Sequence, residues 1–154
     1  MMDCDSIFSK AQCSAIFIQP TSSIFGTDTF VINFVKGGDV YSFHSFSMVR
    51  LLFEGEVAYS ITDHYINDRG LPWRRGQKKL SSATFHRLKS ILVGKRVTHF
   101  KEERCGDVII EFENSAVLEF LIDTGKAAEK TERHRLLVFK GGLDSEAQHF
   151  VFCK

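Results

Sequence analysis

The sequence predicts an α+β protein, a mostly antiparallel β-sheet built of hairpins with one main helix packed across it. Four pairs of short segments rich in β-branched and aromatic residues are separated by turn-forming residues, which is the pattern of β-hairpins. Only the segment from about residue 81 to residue 94 repeats its apolar residues convincingly at helical spacing. Fifteen phenylalanines in 154 residues favour strands, because aromatic side chains are enriched on pleated surfaces and dominate core burial.

The first elements are an edge strand and a hairpin. The apolar segment 14–18 stops before Pro20, which has no N–H to donate to a neighbouring strand, so this segment is predicted at a sheet edge. The run 29–35 ends near Gly37, and 40–46 follows it with aromatic residues among small polar ones. These two runs are predicted to pair through a tight turn.

The second and third hairpins align with each other without a gap. Apolar residues alternate on one face of both, and Gly55 and Asn114, residue types that tolerate positive φ, stand at equivalent turn positions. The agreement indicates a two-fold internal repeat, with lobes at 29–70 and 80–154 of a single β-rich domain, 1–154. The alternative is that any two apolar hairpins align this well. The paired segments are 49–53 with 57–62, and 108–112 with 116–122.

The helix is predicted between these two hairpins. Ser81 or Ser82 can cap its start by accepting a backbone N–H hydrogen bond, and Gly94 follows the last apolar residues as a stop signal. Because only one side of the helix is apolar, that side should pack across a sheet. Its apolar residues are Phe85, Leu88, Ile91 and Leu92.

The remaining chain predicts another strand at 95–100 and a last hairpin, 135–139 with 149–152. The charged segment 124–133 is predicted as a helical turn or a mobile loop. The residues that these patterns place in the core are Phe30, Ile32, Phe34, Leu51, Phe53, Tyr59, Ile61, Phe85, Leu88, Leu92, Val108, Ile110, Phe112, Leu118 and Phe120.

Composition predicts the cellular compartment of the protein but does not identify its partner. The net charge of +1 gives no strong overall field, so no anionic or cationic partner follows from it. No apolar run approaches the roughly 20 residues that a membrane helix needs, and the first five residues are acidic where a secretory signal is basic. The four cysteines are scattered, as expected of reduced thiols. We therefore predict a cytoplasmic protein with no membrane partner.

No motif for catalysis, cofactor binding or metal binding is present. The sequence has no Gly-x-Ser-x-Gly elbow and no glycine-rich phosphate loop, and its six histidines never stand at short metal-ligand spacing. The prediction is therefore a non-enzymatic protein with no catalytic residue, no cofactor and no metal. An enzyme whose site is assembled only by folding is the alternative.

The segment 65–79 is the predicted partner-binding site. It is a long connection that holds Tyr65, the only tryptophan, Trp73, and then Arg74 and Arg75, and these residue types dominate interface hot spots. The competing interpretation is a solvated linker whose Trp73 folds back onto the core. If this loop binds a macromolecule, a protein is the first expectation, and RNA or DNA stacked on the aromatic rings beside the arginines is the second.

Three segments carry a resemblance: LVGKRV at 92–97, CGDVIIEFEN at 105–114 and VLEF at 117–120. Together they resemble small β-rich bacterial proteins, some of which are immunity partners of secreted polymorphic toxins. The resemblance implies an immunity protein that neutralises a cognate toxin by covering its surface. It implies no particular functional residue.

Overall fold

The computed structural model describes residues 3–20, 28–122 and 133–152. Within these ranges the chain forms ten strands, two α-helices and a short 3₁₀ helix. In chain order the elements are α1 (Cys4–Phe8), β1 (Gln12–Gln19), β2 (Thr29–Lys36), β3 (Asp39–Ser45), β4 (Met48–Phe53), β5 (Glu56–Ser60), the 3₁₀ helix (Ile61–His64), α2 (Ser81–Leu92), β6 (Val97–Glu102), β7 (Val108–Phe112), β8 (Val117–Leu121), β9 (His134–Phe139) and β10 (Ala147–Phe152).

The strands form two antiparallel five-stranded sheets, which confirms the predicted fold class. Sheet A has the order β1-β2-β3-β9-β10, and sheet B has the order β5-β4-β8-β7-β6. All four predicted hairpins pair, and β1 lies at an edge of sheet A. The turn between β2 and β3 needs positive φ at two successive residues, which Gly37 and Gly38 supply. The predicted charged segment 124–133 lies, apart from Arg133, outside the described residues.

The two aligned hairpins lie side by side in sheet B, since β4 pairs with β8. Their registers agree away from the turns: Leu51 faces Tyr59 in one hairpin, and Ile110 faces Leu118 in the other. The turns differ, because φ is positive at Glu54 as well as at the following glycine in the first hairpin, and at Ser115 in the second. The internal repeat stays a prediction, for which superposition of the two hairpins is the test.

The core lies between the two sheets, and aromatic rings from both sides meet there. Phe30 near the start of β2 contacts Tyr59 of β5 and Phe120 of β8, with ring centroids 6.1 and 5.6 Å apart. Phe34 near the end of β2 instead contacts Phe112 of β7, at 6.3 Å. This strand therefore runs across the strands of sheet B, as in crossed sheet packing.

Thirteen of the fifteen predicted core residues are buried. Phe53 and Phe85 are the two that remain partly exposed, although both pack against the core cluster. Phe53 is the last residue of β4 and stands next to the turn. Phe85 lies on the side of α2 where its ring contacts Tyr59, and Lys89 Nζ lies 5.1 Å from the centre of that ring. Phe53 stands at the end of a strand and Phe85 on one side of a helix, and burial is incomplete at such places.

Helix α2 packs against β5 at the edge of sheet B, and its end approaches β1 of sheet A. The predicted serine cap is wrong: the helix begins after Leu80, which makes no side-chain capping bond, and Ser81 is buried in the first turn. The Leu80 N–H instead donates to Ile66 O at 3.0 Å, so the preceding loop fixes the entry into the helix. At the other end Gly94 N donates to Cys13 O at 2.8 Å, which ties the helix exit to sheet A.

Candidate functional site

The loop between the 3₁₀ helix and α2, residues 65–80, is built on its own backbone hydrogen bonds. One segment, 65–68, pairs on one side with 71–73 and on the other with 78–80. Trp73 N donates to Tyr65 O at 2.9 Å on the first side, and Asp68 N donates to Lys78 O at 3.0 Å on the second. Bridges of Ile66 with Pro72 and of Asn67 with Lys79 continue the two pairings. We call residues 65–80 the interaction loop.

Asn67 stands at the centre of the interaction loop and holds its turn. The residue is only 5% exposed. Its Oδ1 accepts hydrogen bonds from the backbone N–H groups of Arg69 and Leu71, both at 3.0 Å, and its Nδ2 donates to Gln77 Oε1 at 3.4 Å. An asparagine side chain that satisfies nearby backbone amides stabilises a turn that has no regular sheet neighbours.

Gln77 holds Trp73, the predicted aromatic anchor, in place. The indole Nε1 of Trp73 donates to Gln77 O at 2.8 Å, and Gln77 Oε1 accepts from Arg74 N at 2.9 Å. Lys79 Nζ lies 4.6 Å from the centre of the Trp73 ring, within the range of a cation–π contact. Trp73 remains 38% exposed. Its ring is therefore held in place at the surface and is not folded back into the core.

The four predicted binding residues all belong to the interaction loop and all are exposed. Tyr65 and Trp73 are joined through their backbones, and the Tyr65 hydroxyl accepts from Asp28 N at 3.2 Å. Arg74 and Arg75 form no ion pair within the described ranges. Sequence reasoning missed Leu71, which is 58% exposed between the two aromatic residues in the chain. A leucine in a polar loop is a weak signal until its exposure is known.

Replacing Asn67 with alanine should loosen the interaction loop while leaving the sheets folded. The substitution leaves the Arg69 and Leu71 amides without their acceptor, and the loss of an ordinary hydrogen bond costs about 0.5–1.5 kcal/mol. We expect faster hydrogen exchange at these two amides than in the wild type. Asn67→Asp keeps the acceptor oxygen and is the matched control. Equal exchange in the alanine variant and the wild type would contradict this role.

A polar cluster under the loop anchors it to the core. Tyr59 Oη lies 2.9 Å from His64 Nε2, and Asp63 Oδ2 accepts from Thr84 Oγ1 at 2.6 Å and from Ser60 N at 3.2 Å. Burial, and then the charge of Lys79, lower the pKa of His64. The imidazole is therefore neutral at pH 7, which suits its place against an aromatic hydroxyl. Asp63 joins the 3₁₀ helix to α2, the two elements that flank the loop.

A serine–histidine pair lies elsewhere, between the sheets. Ser45 Oγ is 3.0 Å from His134 Nδ1, and His134 Nε2 is 3.1 Å from Gly106 O. A carbonyl oxygen only accepts, so Nε2 carries the proton and Nδ1 accepts from the serine hydroxyl. Both side chains are completely buried, so this arrangement offers no surface to a substrate. The pair satisfies buried polar groups and gives no nucleophile that a substrate can reach.

The described ranges contain no group of three or more histidine, cysteine, aspartate or glutamate side chains arranged to hold a metal ion. They also contain no helix that is long and apolar enough to cross a bilayer. Comparison with protein-family models, with curated proteins and with solved structures gives no match to this chain. The interaction loop therefore stands on its own geometry as the candidate site.

Proposed function

We propose that this chain is a non-enzymatic protein-binding module that contacts its partner through the interaction loop. The observation that carries the proposal is an exposed Trp73 whose indole and backbone are both hydrogen-bonded in place. A ring that is already ordered loses little conformational entropy on binding, and tryptophan and arginine are enriched among residues that dominate binding energy. Exposed Leu71, Arg74 and Arg75 surround this anchor with apolar contact area and hydrogen-bond donors.

The resemblance to polymorphic-toxin immunity proteins makes a cognate toxin the proposed partner. Neutralisation by binding needs a stable platform and a contact surface, and it needs no catalytic group. Two packed sheets that carry one ordered loop agree with that requirement. We place the protein in the bacterial cytoplasm, where its thiols stay reduced. Cys4 and Cys13 suit that setting, because burial raises the pKa of each thiol to about 12 and keeps it protonated.

Replacing Trp73 with alanine should weaken partner binding by more than about 2 kcal/mol, or roughly 30-fold in Kd. The probe is the product of the neighbouring reading frame, titrated against the full chain by calorimetry. Phe17→Ala is the matched control, because Phe17 is an aromatic residue of similar exposure on β1, outside the loop. If the wild type binds tightly and the Trp73→Ala variant binds equally tightly, the interaction loop is not the binding site.

RNA or DNA binding is the second candidate, since basic residues stand beside the aromatic side chains of the interaction loop. Each phosphate contact adds roughly one unit to the slope of log affinity against log salt. A slope that falls when Arg74, Arg75 and Lys78 are neutralised, measured with an oligonucleotide, would favour this candidate.

A further inference from the structure

The charges of this chain are strongly segregated along the sequence. The stretch 69–101 contains ten of the twenty lysines and arginines and none of the nineteen aspartates and glutamates. Its formal charge is therefore +10, whereas the rest of the chain, with ten basic and nineteen acidic residues, carries −9. The near-neutral total therefore hides one strongly basic stretch and an acidic remainder.

The structure turns this stretch into a basic surface that begins in the interaction loop and continues along α2. The loop contributes the exposed Arg69, and α2 leads away from it with the exposed Arg87 and Lys89 on the two flanks of its buried face. Twelve helical residues extend the surface by about 18 Å. The turn after α2 adds Lys95 and Arg96. We call the exposed and half-exposed lysines and arginines from 69 to 96 the basic strip.

The basic strip forms few ion pairs with acidic side chains. Among the described residues its one ion pair joins Arg87 Nη1 to Glu56 Oε2 at 3.5 Å, and both side chains are well exposed there. Such a pair contributes little binding energy and leaves its arginine available. Glu113 accepts from the Arg96 backbone N–H at 3.2 Å and not from the guanidinium. Lys101, which follows the strip, is excluded because it pairs with Glu103 at 3.0 Å.

We propose that the basic strip is one docking surface for a partner protein whose contact face is acidic, with the interaction loop as its apolar centre. This inference rests on the proposed function and adds to it the chemistry and the extent of the partner's surface. Trp73 and Leu71 supply the buried centre of the interface, and the strip supplies the charged surround that steers association.

The observations favour an acidic protein over a nucleic acid. A stiff nucleic-acid duplex would extend beyond the strip, and the chain outside 69–101 carries a net charge of −9, which does not attract it. The exposed apolar side chains also include Leu71 and Val93, which cannot stack on bases as aromatic rings do. The ring of Trp73 already has the Lys79 ammonium group over it. A bounded acidic patch with apolar residues at its centre fits this surface.

The strip can be tested at the end farthest from the loop. Lys95→Gln with Arg96→Gln removes two charges there, and Arg104→Gln with Lys140→Gln removes one arginine and one lysine outside the strip. All four side chains are at least partly exposed, so both variants should fold. The probes are a fluorescent 20-residue polyglutamate and a dT20 oligonucleotide, each titrated against the full-length chain by anisotropy.

We expect polyglutamate binding that weakens at least about fivefold between 50 and 200 mM NaCl, because surface charges are screened over about 10 Å. The Lys95/Arg96 variant should bind at least about threefold more weakly, and the Arg104/Lys140 variant should stay within about 1.5-fold of the wild type. Absent binding, equal losses in the two variants, or tenfold tighter binding of dT20 than of polyglutamate would overturn the proposal. Because these probes do not involve the toxin, loss of the proposed function would show separately, in the Trp73→Ala titration.

Discussion

Replacing Phe43 with alanine should destabilise the protein by about 3–5 kcal/mol, since removing a fully buried phenylalanine leaves a cavity that the sheets cannot close. Phe43 has no exposed surface, and its ring lies 4.9 Å from that of Phe120, 5.7 Å from that of Phe100 and 5.5 Å from that of His134. The contacts with Phe120 and Phe100 join sheet A to sheet B. A total stability of about 5–15 kcal/mol is typical of a domain, so much of it should be lost.

Urea unfolding followed by circular dichroism measures this loss as a lower midpoint at unchanged slope. Phe17→Ala is the control of the same chemistry, because Phe17 is 43% exposed on the edge strand β1. That substitution should cost less than about 1 kcal/mol, as surface changes usually do. Equal losses for the two variants would contradict the crossed packing of the sheets at Phe43.

Lowering the pH from 7 towards 4 should destabilise the protein through His134. Burial, the largest effect, lowers the pKa of this histidine to about 4 from its ordinary value of 6.5. Above pH 6.5 the side chain is neutral in both the folded and unfolded states, and its contribution is fully present. As the pH falls from about 6.5 to about 4 only the unfolded state takes up the proton, so stability decreases. The full loss is about 3 kcal/mol, and it levels off below pH 4.

The free energy of unfolding, measured in urea at pH 7.5 and at pH 4.5, tests this contribution. His134→Gln removes the titrating group, so its stability should depend much less on pH than that of the wild type, whatever its stability at pH 7.5. His64→Gln is the comparison, because the lowered pKa of His64 acts in the same direction from a less buried place. A wild-type loss that persists in full in the His134 variant would exclude His134 as its source.

The residue types in the sequence predict the candidate site, but they do not predict the hydrogen bonds that hold its loop in one conformation. A single tryptophan beside arginines in a long connection is unusual. This feature of the sequence identified Tyr65, Trp73, Arg74 and Arg75 as candidates. Asn67 and Gln77, which hold the loop together, carry no such signal. Their roles depend on which backbone N–H groups come within 3 Å, and that distance is a product of the folded loop.

The sequence predicts the strands, the hairpins and most of the core, because alternation of side chains across a strand is a local property. It also determined the charge segregation between 69–101 and the remainder. Contacts between distant segments set the order of strands in the two sheets, the crossing of β2 over sheet B and the burial of His134 beside Ser45. These features bring together residues far apart in the chain, and local patterns contain no record of which distant segment will be the neighbour. The serine cap of α2 failed for the same reason, since a hydrogen bond from Leu80 to the distant Ile66 set the start of the helix.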